Sequence, residues 1–183
     1  MTAQISDRIT VDGRVYALAA AKGTGLFDPT DVGLHPFPSC TACWRGFVCD
    51  YEVREGSLML DTLHVALRNP EGPAAPLAAA PVINGVAPTA PDERWAGFNT
   101  VYEDLRLTVL FSGEMLIGDR FIRELYVHMG FHPAWKYRDV LRLTFERGCL
   151  SERRDVSDEM AEMRSRQEPA PSGPPEPASR SAA

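Results

Sequence analysis

The chain has 183 residues, 44% hydrophobic and 24% charged, proportions of a globular protein with enough length for one real core and too little for two ordinary domains. A net charge of −6 and a pI near 5.2 argue against a general phosphate-binding surface, so nucleic acid is not expected as a partner. The first residues lack a basic region followed by an apolar one, and no run of about eighteen uncharged apolar residues occurs. No membrane partner is expected, a cytoplasmic location is, and reducing cytosol would keep Cys40, Cys43, Cys49 and Cys149 as thiols.

In chain order, Ile9-Thr10-Val11, Asp12-Gly13 and Val15 to Leu18 predict a hairpin, because Asp-Gly suits a turn with positive φ at both central residues. The glycines and prolines between Ala20 and Pro38 predict a long connection. Phe47, Cys49, Tyr51 and Val53 alternate with polar or smaller residues and predict a strand, Arg54 to Ser57 a turn, and Leu58 to Val65 its partner. Residues 69–91 hold six prolines and seven alanines and read as a loop inserted within the domain, anchored by Val82-Ile83, with a turn at Asn84-Gly85.

Alternation resumes from Val101 to Ser112, with Leu105, Leu107, Val109 and Phe111 on one face. Gly113 and Gly118 read as turns on either side of Met115 to Ile117, Tyr126 to His128 as a strand, and Val140 to Phe145 as another. Residues 153–167 predict a charged, marginal helix capped by Asp155 or Ser157, with only Met160 and Met163 to bury. Five prolines among the sixteen residues 168–183 predict a disordered tail. The expected fold is mainly β: residues 1–152 form an antiparallel sandwich or a closed or partly closed barrel with long Pro/Gly loops, followed by the short helix and the tail.

Several segments carry a family resemblance: Cys43 to Phe47, Tyr51 to Val53, Leu58 to Leu60, Ile83 to Val86, Phe111 to Gly113 and Leu125 to Phe131. Between roughly Trp44 and Leu150 the chain resembles an uncharacterised bacterial family of small β-rich proteins bearing a Tyr-Val-His-Met-Gly-Phe/Tyr motif. The resemblance implies one self-contained bacterial domain and transfers no catalytic residues.

Three chemistries compete for the distinctive stretch from Phe111 to Trp135. Trp44, Arg45, Tyr126, His128, Phe131 and Trp135 form an aromatic and cationic set suited to a small molecule or a protein partner, with no cofactor. An enzyme would use His128 or His132 as general acid or base, with Glu124, Glu114 or Asp119 as an orienting carboxylate. A zinc site would combine the Cys40, Cys43 pair with His128 and His132. The expectation is a non-catalytic binding domain working through residues 111–135 and the Trp44 loop.

Overall fold

The computed structural model describes residues 2–38, 40–68, 80–95 and 97–167. In order these form β1 (Arg8–Val11), β2 (Arg14–Thr24), β3 (Phe47–Arg54), β4 (Ser57–Val65), β5 (Thr100–Tyr102), β6 (Leu107–Thr108), β7 (Ser112–Phe121), β8 (Tyr137–Glu146), β9 (Cys149–Asp155) and α1 (Ser157–Gln167). Strands β3, β1, β2, β7, β8, β9 and β4 follow one another around a closed barrel, sealed by pairing of β4 with β3. Closure settles barrel over sandwich and leaves no long free edge. Among the named strands, β1 with β3 is the parallel pair. The second edge of β4 is shared, meeting β9 at Ser57, β6 at Met59 and Leu60, and β5 from Leu63 to Val65.

The barrel is filled by alternating inward side chains, among them Ile9, Tyr51, Leu60, Tyr102, Phe111, Met115 and Phe145. In β4 the inward set is Leu58 and Leu60, then Leu63 and Val65. The change of parity comes from a bulge: Tyr51 faces Leu60 while Asp50 faces Thr62, so Asp61 has no partner across the ladder. Thr62 and His64 are thereby turned to the outside.

Several expectations are corrected. β2 runs on through Ala20 to Thr24 instead of giving way to a loop, because Gly23 pairs with Gly113 of β7. A Cβ on Gly23 would lie 2.2 Å from the Ser112 carbonyl oxygen, and one on Gly113, whose φ is 147°, would lie 2.2 Å from that of Lys22. Both residues are glycine because two backbones approach closely there. Gly118 likewise lies inside β7, under the Tyr137 ring. Positive φ at Asp104 and Arg106 breaks the strand expected from Val101 to Ser112, although Leu105, Val109 and Phe111 are buried as their alternation requires. The strand expected at Tyr126 to His128 is absent; a 3-10 turn, Arg123–Leu125, precedes an irregular segment.

Two smaller apolar clusters sit outside the barrel. One joins Cys43, Val48, Ala66 and Phe98. The other joins Val156 and Met160 of the α1 end of the chain to Ala134, Tyr137 and Val140, while Met163 is exposed. Asp155 accepts a hydrogen bond from the Ser157 amide, and Arg164 donates to the Trp135 and Tyr137 carbonyl oxygens, fixing both ends of α1. In the Pro/Ala-rich insertion, Asn84 and Gly85 form a tight turn between Ile83 and Val86, with φ of 47° and 81°. Ile83 is buried and Val82 is not. The rest of that insertion, 69–79, and the tail expected at 168–183 lie outside the described residues.

Candidate functional site

The segment 122–136 is a fifteen-residue Ω-like loop joining β7 to β8. Its neck is closed by Phe121 paired with Tyr137 and by the Ile122 amide donating to the Lys136 carbonyl oxygen at 2.9 Å. Its far end is held by the N-terminal segment, where the Gln4 amide donates to the Gly130 carbonyl oxygen at 2.8 Å. Gln4 also reaches the second candidate region, since its side-chain oxygen accepts from the Trp44 amide at 2.9 Å. Arg45 provides another tie, with its guanidinium over both the Phe47 and Phe131 rings, at 4.7 and 5.4 Å from their centroids.

This scaffold presents apolar surface to water. Trp44 is 55% exposed and Met129 56%, while Tyr126, Val127 and Phe131 are each close to half exposed. Among the described residues, the other exposed large apolar ones, Val15, Val82, Leu110 and Met163, stand on four different segments. Of the expected binding residues, Arg45 meets Phe131, Trp44 is tied to the loop through Gln4, and Tyr126 and His128 meet edge-on elsewhere on the same loop, with centroids 4.9 Å apart. Trp135 does not join them; it packs beside Ala134 and Tyr137 in the cluster beneath α1. Val127 and Met129 were not singled out by sequence, since an apolar residue between aromatic ones in an expected strand reads as core.

The acid-base arrangement is not assembled. His128 and Glu124 are exposed, and among the described residues neither His128 nor His132 has a carboxylate within ion-pair distance. His132 is buried against Phe121 and Tyr126, with both ring nitrogens unpartnered. Burial pushes its pKa down, and the nearby Lys136 pushes it further. Lys136 is itself buried to 5% exposure, which lowers its own pKa. The zinc set is not assembled either: Cys40 and Cys43 bridge each other through their backbones, but among the described residues no group of three or more His, Cys, Asp or Glu is placed to hold a metal ion. Burial raises the Cys43 thiol pKa, and Cys43 donates to the Phe47 carbonyl oxygen at 3.3 Å.

A second polar constellation was missed entirely. On the outer wall of β1, β3 and β4, Arg8 faces Asp50 and Asp50 faces Thr62 across the strands, and His64 follows on β4. Arg8 grips Asp50 with two hydrogen bonds, one of them 2.6 Å. His64 is 5% exposed and covered by Trp95, stacked at 3.9 Å with 17° between the rings. Its Nε2 lies 3.8 Å from Asp50 Oδ2 and its Nδ1 is buried without a partner. Trp95 is held there because Phe98 donates to its carbonyl oxygen and Asn99 clasps both backbone groups of Leu67. No sequence motif marks this wall: the residues come from three strands, and the Asp61 bulge that aims His64 outward leaves no periodic trace.

All four cysteines are free thiols, and no helix among the described residues is long and apolar enough to cross a membrane. Comparison with protein-family models, with curated proteins and with solved structures found no match to this chain.

Proposed function

We propose that this protein is a non-catalytic bacterial domain, working in the cytoplasm, whose barrel carries the 122–136 loop and Trp44 as a docking surface for a protein partner. The observation that carries the reading is the group of half-exposed apolar side chains, Trp44, Tyr126, Val127, Met129 and Phe131, on two segments tied to each other by Gln4 and Arg45. Exposing such side chains on an anchored loop costs solvation free energy that a partner recovers by burying them. A small molecule is the poorer fit, because a small ligand is held by concave surroundings and these side chains project from a loop. The free thiols support a reducing compartment.

The test is site-specific photo-crosslinking in the protein's own cells. A photoreactive residue at Met129 or Val127 is expected to give one dominant covalent adduct, and the same residue at Arg147, in the β8–β9 turn, to give none. The same adducts at all three positions, or none at the loop, would overturn the proposal. An adduct of twice the chain's own mass would make the partner a second copy.

A further inference from the structure

His132 sits in the 122–136 loop with its chemistry unanswered. It is 9% exposed, and both of its ring nitrogens are buried without a hydrogen-bond partner. Buried polar atoms of native proteins are nearly always paired, and each one left over costs stability. What holds the imidazole in place is its apolar body, packed on Phe121 of β7 with centroids 4.7 Å apart and on Tyr126 at 5.2 Å. Tyr126 in turn meets Phe121 edge-on at 6.4 Å. The three rings form a triangle that fastens the exposed span of the loop to the barrel, and the imidazole is the member that can gain a charge near neutral pH.

The surroundings do not welcome that charge. Lys136, at the end of the loop, acts on the ring as a second cation. β7 and β8 present the uncharged rings of Phe121 and Tyr137, and His128 lies across Tyr126. The N-terminal segment, joined to the loop at Gly130, brings the neutral Gln4, while its Asp7 is paired with Arg45. From α1, Arg164 is turned to the Trp135 and Tyr137 carbonyl oxygens. With both nitrogens unpartnered, an imidazolium here would bury two N–H donors and a charge together. We propose that His132 is a proton-operated latch of the 122–136 loop: neutral, it clamps Tyr126 to Phe121; protonated, it swings out to water and frees the span from Tyr126 to Phe131. Burial and the Lys136 charge both lower the pKa of the ring in the closed loop. The closed form is therefore undiminished above about pH 6.5, the value of a free imidazole, and is lost as pH falls from there through the lower value of the buried ring. The latch rests on the docking reading only for its consequence, a docking surface dismantled in acid.

The test is amide exchange of the intact protein, without a partner, at about pH 7.5 and about pH 5.5, corrected for the intrinsic rate at each pH. The amides to follow are Tyr126, which donates to the Arg123 carbonyl oxygen, and Gln4, which donates to that of Gly130. Their protection is expected to fall by up to about tenfold at the lower pH, the limit set by a ring that titrates freely in the open loop and not at all in the closed one. In His132→Phe, which keeps a ring in the triangle but cannot titrate, the change is expected to stay below about twofold, whereas His128→Gln is expected to keep the parent's response. In the parent itself, the His132 ring is expected to take up its proton at the pH where the Tyr126 ring signals move. Parent protection that ignores pH, an equal fall in His132→Phe, loss of the response in His128→Gln, or protonation of His132 with Tyr126 unmoved would overturn the proposal. A loop that opens in acid but gives no crosslink at neutral pH strikes the docking reading alone, and crosslinks without acid opening strike the latch alone.

Discussion

Replacing Arg45 with methionine tests the tie between the barrel and its docking loop. The Asp7 carboxylate is 4% exposed and accepts both guanidinium hydrogen bonds, at 2.8 and 2.9 Å, together with the Cys49 amide at 2.9 Å. Methionine keeps apolar volume against Phe47 and Phe131 but leaves a buried carboxylate with one backbone donor. Breaking a buried ion pair from one side costs about 3–5 kcal/mol. The Arg45 side chain is one-third exposed, so water replaces part of what is lost, and we expect about 3 kcal/mol. In a domain of this size that lowers the melting temperature by about 6–12 °C. Urea denaturation reads the loss as a lower midpoint at unchanged slope. Adding Asp7→Asn removes the stranded charge, so the double variant should be more stable than the sum of the two single losses requires. If Arg45→Met falls within about 0.5 kcal/mol of the parent, or if the two losses simply add, the pair does not hold this corner together.

Gly118→Ala should cost about 2–3 kcal/mol, since the new Cβ would lie 2.4 Å from Tyr137 Cγ; in a Tyr137→Leu background the same change should cost measurably less by thermal denaturation. Met160→Ala should remove about 2 kcal/mol, seen as faster amide exchange and faster tryptic cleavage at Arg164 and Arg166 within α1, while the barrel amides keep their protection; uniform loss of protection would refute local docking of α1. Hydrogen bonding from Arg120, reinforced by Arg14, holds the Asp139 carboxyl down to about 2. A carboxyl depressed on folding contributes stability above its unfolded value of about 3.9 and loses it as pH falls through the folded value. Stability of the parent should therefore fall more steeply than that of Asp139→Asn between about pH 4 and pH 2, and parallel acid-denaturation curves would refute the assignment.

What was legible in the sequence was what local chemistry decides. Asp12-Gly13, Asn84-Gly85 and the alternation through β3 turn up where their dihedral and burial demands place them. The failures share a cause in contacts between distant segments. Gly23, Gly113 and Gly118 look like turns until the strand or ring across from each is known. Tyr126 to His128 has strand composition, yet the loop's ends are pinned by Phe121 and Tyr137, and the N-terminal segment bridges it at Gly130 and not at Tyr126 to His128. The same holds for function: the aromatic run was visible, whereas the wall of Arg8, Asp50 and His64 exists only once three strands are side by side.

The parallel partnership of β1 with β3 has a consequence for biosynthesis. β1 leaves the ribosome first and can fold back on β2 at once, but its other neighbour begins at Phe47 and the seam between β4 and β9 needs Cys149. At about 5–20 residues per second, several seconds separate the first hairpin from the last staple. During that interval the growing chain is an open ribbon with bare edges on both sides. Premature release, or a stall between β7 and β9, would therefore yield a species that seeks strands from its neighbours, and nascent-chain chaperones are expected to hold this protein until its last strand emerges.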